Sequence, residues 1–425
     1  MDFADLKIGP KNEWRLETPG VEGWTRTARP SDPNKYFIVS CDNHVNEPFN
    51  FFEGRIPEKF NHRLPRIVRD EEGNEWLHTD GRSPNLVKPA KNKTDHLQPQ
   101  EKYESWEVMV PYTKRMEQLE EMKTASGRGL EQRLKDAKMD GIDAEIVFPG
   151  KGGMGFATRD AEFSLAMTQA YNRFILDYFG SKFGRVNPVA LITAQLVDEA
   201  VKEVEWAAKN GFKAVQLPNK PVYGPTIKGE LAYNNPVFEP LWGALADTGL
   251  TATFHVSSGE DPRTADGHGG AIINYVTHSM LTPWDPLVKV ITSGVIERNP
   301  RLRFVTVEAG VGIIPWLLEM MDHAYKAHHM WVRPVIPETP STYYRSNCAS
   351  TLMEEPAGLE HAINFGLEDN ILWSSDYPHH EGSFPFSSQS IERMMGDLTD
   401  RQRAKLLGEN AIKFFNIDPK VARAL

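Results

Sequence analysis

Residues 130–148, LEQRLKDAKMDGIDAEIVF, decide how the rest of this chain is read. The first part predicts a helix that ends near Gly141, and AEIVF, a short apolar run after a turn, predicts a buried strand. The same alternation then continues to the C-terminus. Helical stretches AEFSLAMTQAYNRFILDYFGSKF, DEAVKEVEWAAKNGF, NPVFEPLWGALADTG, DPLVKVITSGVIERNP, IIPWLLEMMDHAYKAHH, EPAGLEHAINFG and RQRAKLLGENAIKFF are interleaved with the strand candidates VNPVALI, KAVQL, LTATFH, LRFVTVE, TYYRSNCA and NILWSSD. With YFIVS at residues 36–40 as the first strand, eight strands alternate with helices. TYYRSNCA is the weakest of them.

Alternating strands and helices mark an α/β fold with parallel strands, and eight such units close a (β/α)8 barrel of the TIM type. An open doubly wound sheet is the competitor. It lacks its signatures here, since no G-x-G-x-x-G follows the first strand and no P-loop occurs. Residues 1–35 are polar, rich in Pro and Gly and aperiodic, and are expected to be an N-terminal arm. Residues 36–425 are expected to form the barrel. The irregular stretch 50–129 is too long for a structureless loop and is expected to be a cap, inserted after strand one, with some helix.

Composition narrows the class. Hydrophobic residues make up 40% and charged residues 25% of 425, which suits a globular protein with a large core. The net charge is −10 with no basic run, so a nucleic-acid partner is not expected, and a small organic molecule is. Cys41 and Cys348 are too few for a disulfide framework. No stretch approaches the roughly 18 apolar residues of a membrane span, and no signal sequence opens the chain, so a cytoplasmic location is expected.

In such a barrel, the functional groups sit where strands end. Strand one ends in Asp42 and His44 within SCDNHVNEPF, strand five in His255, strand six in Glu308 and strand eight in Asp376. Residues two apart in extended chain face the same side, so Asp42 and His44 can converge on one ion while Asn43 points away. Glu47 and Pro48 turn the chain toward the cap, and Glu47 is also a candidate substrate contact. Nitrogen and oxygen donors without thiolate suit a divalent ion, with zinc put first and manganese or iron as alternatives. An ion held by two imidazoles and a carboxylate lowers the pKa of bound water and polarises a carbonyl or carboxylate oxygen. Asp376 is a candidate both as ligand and as proton shuttle.

The stretches CDNHVNEP, TFHVSSGED, NPRLRFVTVEAGVGIIPWLLEMMD and WSSDYPHHEGSFP, with GENAIKFF at the end, resemble the amidohydrolase superfamily. The likeness is to its amidohydrolase-2 branch, which contains aminocarboxymuconate semialdehyde decarboxylase, hydroxybenzoate-type decarboxylases and some lactone hydrolases. Position by position, the resemblance implies a metal site of Asp42, His44, His255 and Asp376, and a homodimer. Two departures stand out. Asp-x-His replaces the more usual His-x-His or Glu-x-His, and Glu308-Ala-Gly stands where decarboxylating relatives place a histidine followed by glycines. Glu308 is therefore expected to donate a proton, to serve as base for a metal-bound water, or to bridge a second ion; the alternative is an ion pair with Arg345. His278 is a further catalytic candidate. Arg345, His379, Trp284 and Phe384 are candidates to orient or wall the substrate, with His380, Trp316 and Phe386 near them. HHMWVRP, at residues 328–334, is read as surface or interface.

The first expectation is a decarboxylase of an aromatic or unsaturated carboxylic acid, a C–C lyase, in which Asp376 or Glu308 protonates carbon. The alternative is a hydrolase of an amide or lactone that uses metal-bound hydroxide. A dinuclear-iron oxygenase and a barrel that binds a ligand without turnover rank below both.

Overall fold

The computed structural model describes residues 36–48, 50–80, 84–88, 90, 129–259, 279–328, 335–352, 354–379, 382–385 and 387–425. The expected arm at 1–35, residues 91–128 of the expected cap, residues 329–334 of HHMWVRP, His278, His380 and Phe386 lie outside them. Eight strands follow one another: β1 (Val39–His44), β2 (Ala144–Phe148), β3 (Val186–Pro188, resumed as Ala190–Leu191), β4 (Ala214–Leu217), β5 (Thr251–His255), β6 (Phe304–Val307), β7 (Cys348–Leu352) and β8 (Ile371–Trp373). All pair in parallel and in chain order. One sheet runs from β1 to the first piece of β3, and the other from its second piece to β8. No ladder among the described residues joins β8 to β1.

Side chains from the strands meet in a common apolar interior. Val39, Cys41, Ala144, Ile146, Phe148, Ala214, Val305, Val307, Ala349 and Leu372 pack into one apolar cluster, with Phe414, Phe415 and Ile417 from the C-terminus. That terminus docks where β5 and β6 begin, because Thr251 Oγ1 donates to the Phe414 carbonyl and Arg303 to the Lys413 carbonyl. The larger cluster, between strands and helices, includes Trp242, Phe238, Phe254 and Phe304. Among the described residues no helix is long and apolar enough to cross a membrane.

β1 carries an irregularity that positions everything at its end. Ser40 pairs with Glu145 and Asn43 with Val147, so β1 spends three residues where β2 spends two. This is a bulge, and one surplus residue reverses which face the following side chains take. Val39 and Cys41 can then join the apolar interior while Asp42 and His44 also turn inward. Asn43 turns outward and is fully buried. Its Oδ1 accepts from Ser40 Oγ at 2.7 Å, Ser375 Oγ at 2.9 Å and the Tyr377 amide at 3.0 Å, and its Nδ2 donates to Glu145 at 2.6 Å. Arg133 donates to the other oxygen of Glu145 at 3.0 Å and to the His44 carbonyl at 2.8 Å. With the His44 amide donating to the Tyr377 carbonyl at 2.6 Å, this network ties the end of β1 to the chain after β8.

One expectation needs correction. Thr342–Asn347 of TYYRSNCA lie in a helix, Pro340–Asn347, and β7 starts only at Cys348. Proline at the first helical position favours the helix. The β-preferring Tyr343 and Tyr344 are buried from it, with Tyr344 Oη bonded to Ser350 Oγ at 2.9 Å. The stretch expected as a cap after β1 is described only in part. It holds a short 3-10 turn, Glu58–Arg63, and an antiparallel sheet of Arg66–Arg69, Glu75–His78 and Asn85–Lys88. Asp70 fixes its first turn by accepting from Trp76 Nε1 at 2.7 Å and Asn74 Nδ2 at 2.8 Å.

Asn43→Ala removes four buried hydrogen bonds and strands Glu145 Oε1 and the Tyr377 amide. The expected cost is on the order of 3 kcal/mol, read as a lower denaturant midpoint at unchanged slope.

Candidate metal centre

Each imidazole is aimed by its inner nitrogen. His44 Nδ1 lies 3.2 Å from the Pro149 carbonyl and His255 Nδ1 lies 3.1 Å from that of Val256. A carbonyl can only accept, so Nδ1 carries the proton and each Nε2 presents its lone pair when the ring is neutral. Both Nε2 atoms stand 3.4 Å from Asp42 Oδ1. Asp376 Oδ1 is 3.5 Å from His44 Nε2, and Glu308 Oε2 is 3.7 Å from His255 Nε2.

These atoms are buried yet unsatisfied. Asp42 Oδ1 and Oδ2, His44 Nε2 and His255 Nε2 make no hydrogen bond, and neither oxygen of Asp376 makes an aligned one. Leaving one such group unpaired costs roughly 1–3 kcal/mol, more when charged. A cluster of them therefore marks a place built for something else. Asp42, His44, His255 and Glu308 each offer a donor atom within 4.8 Å of the others, and His44, Asp376 and His379 form a second such set. The residues fit a divalent ion bound through nitrogen and oxygen.

Charge is distributed unevenly in the centre. Burial pushes the Asp42 carboxyl up, but His255 and His44 outweigh it and hold it well below the usual carboxylate range. Burial works against the His255 proton, but Asp42 and Glu308 overcome it and raise the ring to about 9. His44 is lowered, chiefly by burial. Asp376 is raised by burial and by the nearby charge of Asp42. His379, with Nδ1 3.0 Å from Asp376 Oδ1, is held up at about 9 against burial, chiefly by that carboxylate. Its ring stacks on His44 at 4.0 Å.

Two of the carboxylates sit on strained backbone. Glu308 has φ 56° and Asp376 φ 53°, directly after β6 and near the end of β8. Left-handed backbone at a residue other than glycine costs on the order of 1 kcal/mol or more and persists where the surroundings impose it. At Glu308 the amide donates to Thr351 Oγ1 at 2.9 Å, and after Asp376 the Tyr377 amide is held by Asn43.

Other expected site residues are spent elsewhere. Glu47 is buried, and its oxygens accept from the amides of Gly150, Lys151 and Gly152 at 2.8–3.1 Å. It caps the turn Lys151–Phe156, in place of the expected substrate contact. Arg345 precedes β7 and donates to the carbonyls of Gly366 and Phe365 at 2.8 and 2.9 Å. It closes the end of helix Pro356–Asn364, and so neither orients a substrate nor pairs with Glu308. Trp284 is a core residue whose Nε1 donates to the Ala309 carbonyl at 3.1 Å. Phe384 is buried edge-on against Tyr377 at 4.9 Å. Trp316 is exposed on helix Ile314–Ala327. Sequence reasoning missed Phe148, whose ring lies 4.9 Å from His255. Its only signal is its parity with Ala144 and Ile146.

Solved structures share this fold. An amidohydrolase from Mycobacterium avium subsp. paratuberculosis aligns with a TM-score of 0.71 at 21% identity, over 90% of this chain and 98% of that one. The 2,6-dihydroxybenzoate decarboxylase from Rhizobium aligns with a TM-score of 0.59 at 16% identity, over 90% and 99% of the two chains. A dihydroxybenzoic acid decarboxylase from Polaromonas sp., with bound manganese and the inhibitor 2-nitroresorcinol, reaches 0.57 at 15% identity, over 90% and 97%. No curated protein matches the chain by sequence. The profile described as amidohydrolase matches residues 89–417, most of the chain, and this protein therefore belongs to the amidohydrolase family, in its amidohydrolase-2 branch.

Proposed function

We propose that this protein is a metal-dependent decarboxylase, a C–C lyase of an aromatic carboxylic acid. The observation that carries the reading is the set of buried, unsatisfied donors on Asp42, His44, His255 and Asp376. Fold neighbours named as dihydroxybenzoate decarboxylases support the substrate class. In this reading the eight strands close into a barrel around the centre, residues 36–425 form one unit, and 50–129 cover its mouth. A homodimer remains part of the proposal.

Asp42, His44 and His255 would hold the ion, with Asp376 at its edge beside His379. When bound, such an ion draws electron density from the oxygens of the acid and anchors its carboxylate. The protein's own groups manage the proton. The Asp376–His379 pair, 3.0 Å apart and with His379 partly exposed, can hold a proton on the open side of the centre. Delivered to the ring carbon, that proton replaces the carboxylate: a C–H bond forms, the C–C bond breaks, and its electron pair stays with the ring as CO₂ leaves. Phe148, lying against His255, keeps one side of the centre dry.

Hydrolysis of an amide or lactone is the second reading, favoured by the carboxylate at Glu308 in place of the relatives' histidine. Metal-stripped protein is expected to release no CO₂ from a panel of hydroxylated benzoates and to regain activity with Mn²⁺ or Zn²⁺. Asp376→Asn should then lower kcat by roughly 10²–10⁴ with little change in KM. Turnover of amides or lactones without any CO₂ release would move the assignment to the hydrolase.

Ion binding should also release a proton. His255 keeps its proton up to about pH 9 in the metal-free protein, whereas ligation requires the neutral ring. Affinity is therefore expected to rise as pH approaches 9 and to level off above it. Calorimetry at pH 7, in buffers of different ionisation enthalpy, should count about one proton per ion; a count of zero would contradict this charge state.

A further inference from the structure

Glu308 stands where the resemblance places a histidine in decarboxylating relatives. Its side chain is buried, and its Oε2 stands 3.7 Å from His255 Nε2. An ion pair with Arg345 is ruled out, since that guanidinium serves the Phe365 and Gly366 carbonyls. The backbone is held in its strained turn, φ 56°, by the amide's bond to Thr351 Oγ1.

Spacing shows what the turn achieves. Donors at about 2.1 Å from one ion in tetrahedral array lie roughly 3.4 Å apart. The contacts of Asp42 Oδ1 with His44 Nε2 and with His255 Nε2 are both 3.4 Å, and Glu308 Oε2 extends the series at 3.7 Å. One donor atom from each of these four residues lies within 4.8 Å of the rest, while Asp376 falls with His44 and His379. The buried oxygens of Asp42 and the two Nε2 atoms, which make no hydrogen bond, independently favour a cation at this point.

We infer that Glu308 is itself a ligand of the ion, forming with Asp42, His44 and His255 a set of two carboxylates and two imidazoles. This rests on the reading that the centre holds a divalent metal. Two carboxylates balance the two charges of the ion, so the loaded set is neutral. Where a histidine replaces Glu308, the same ion keeps one positive charge. Oxygen-rich sets also suit harder ions, so this chain should hold manganese well relative to zinc, and exchanging Glu308 for histidine should shift the preference toward zinc.

The test uses metal-stripped full-length protein titrated with Mn²⁺, free ion being read by electron paramagnetic resonance. Glu308→Gln, checked for folding by its melting curve, is expected to bind Mn²⁺ at least tenfold more weakly. A change below threefold in a folded variant overturns the inference. Glu308→His supplies a second measure that does not depend on the first variant. In Cu²⁺-loaded protein, nitrogen couplings should count two imidazoles in the wild type and three in Glu308→His. A count that stays at two also overturns it. Tight, Glu308-dependent binding without CO₂ release from any acid would leave the ligand standing and remove the decarboxylase reading. A wild type that takes up no ion would remove both.

Discussion

Between Ser40 and Asn43, β1 carries one residue more than the strand beside it, and the rest of the centre is arranged around that surplus. A regular strand would have to choose: either Val39 and Cys41 face the interior, or Asp42 and His44 do. The bulge allows both, and it sends Asn43 outward into a position where its amide can satisfy four partners at once. An apolar floor and an ionic mouth are thus built from six consecutive residues, and the same segment is tied to the chain that follows β8.

The ionic groups compensate one another only in part. Asp42 and His255 can share a proton's charge in the metal-free protein, and Asp376 can do so with His379, but the geometry that results leaves buried oxygens and nitrogens without hydrogen bonds. The left-handed turns at Glu308 and Asp376 add cost to this arrangement. Both turns are held from neighbouring strands, by Thr351 and by Asn43, so rigid parts of the fold sustain a centre that would otherwise relax. A site that is unfavourable by itself is best understood through what binds there.

Much of this was legible in the sequence, for physical reasons that differ by residue. Helices ending at glycine, as at Gly141 and Gly249, and apolar runs between them made the alternation plain, and both glycines do adopt left-handed backbone. Asp42, His44, His255 and Asp376 could be named as candidates because a polar residue at or just past the end of a buried strand has few places to go except the mouth. The shifted β7 shows where propensity fails: Tyr343 and Tyr344 read as strand, while CASTL offers small residues and little pattern. Glu47, Arg345, Trp284 and Phe384 have side chains suited to a pocket, but three backbone amides, two carbonyls, a core and a tyrosine ring claim them, and of those partners only Tyr377 is near in sequence. The bulge was invisible for a related reason. It is a property of two strands compared, and one strand's sequence does not contain it.

The C-terminal segment fills the end of the strand interior where β5 and β6 begin, with Phe414 and Phe415 packed against Ala214 and Val305 in a single apolar plug. If the strands close as proposed, this plug leaves the opposite end, where Asp42, His44 and His255 lie, as the way in and the way out, so a substrate and both of its products would share one passage.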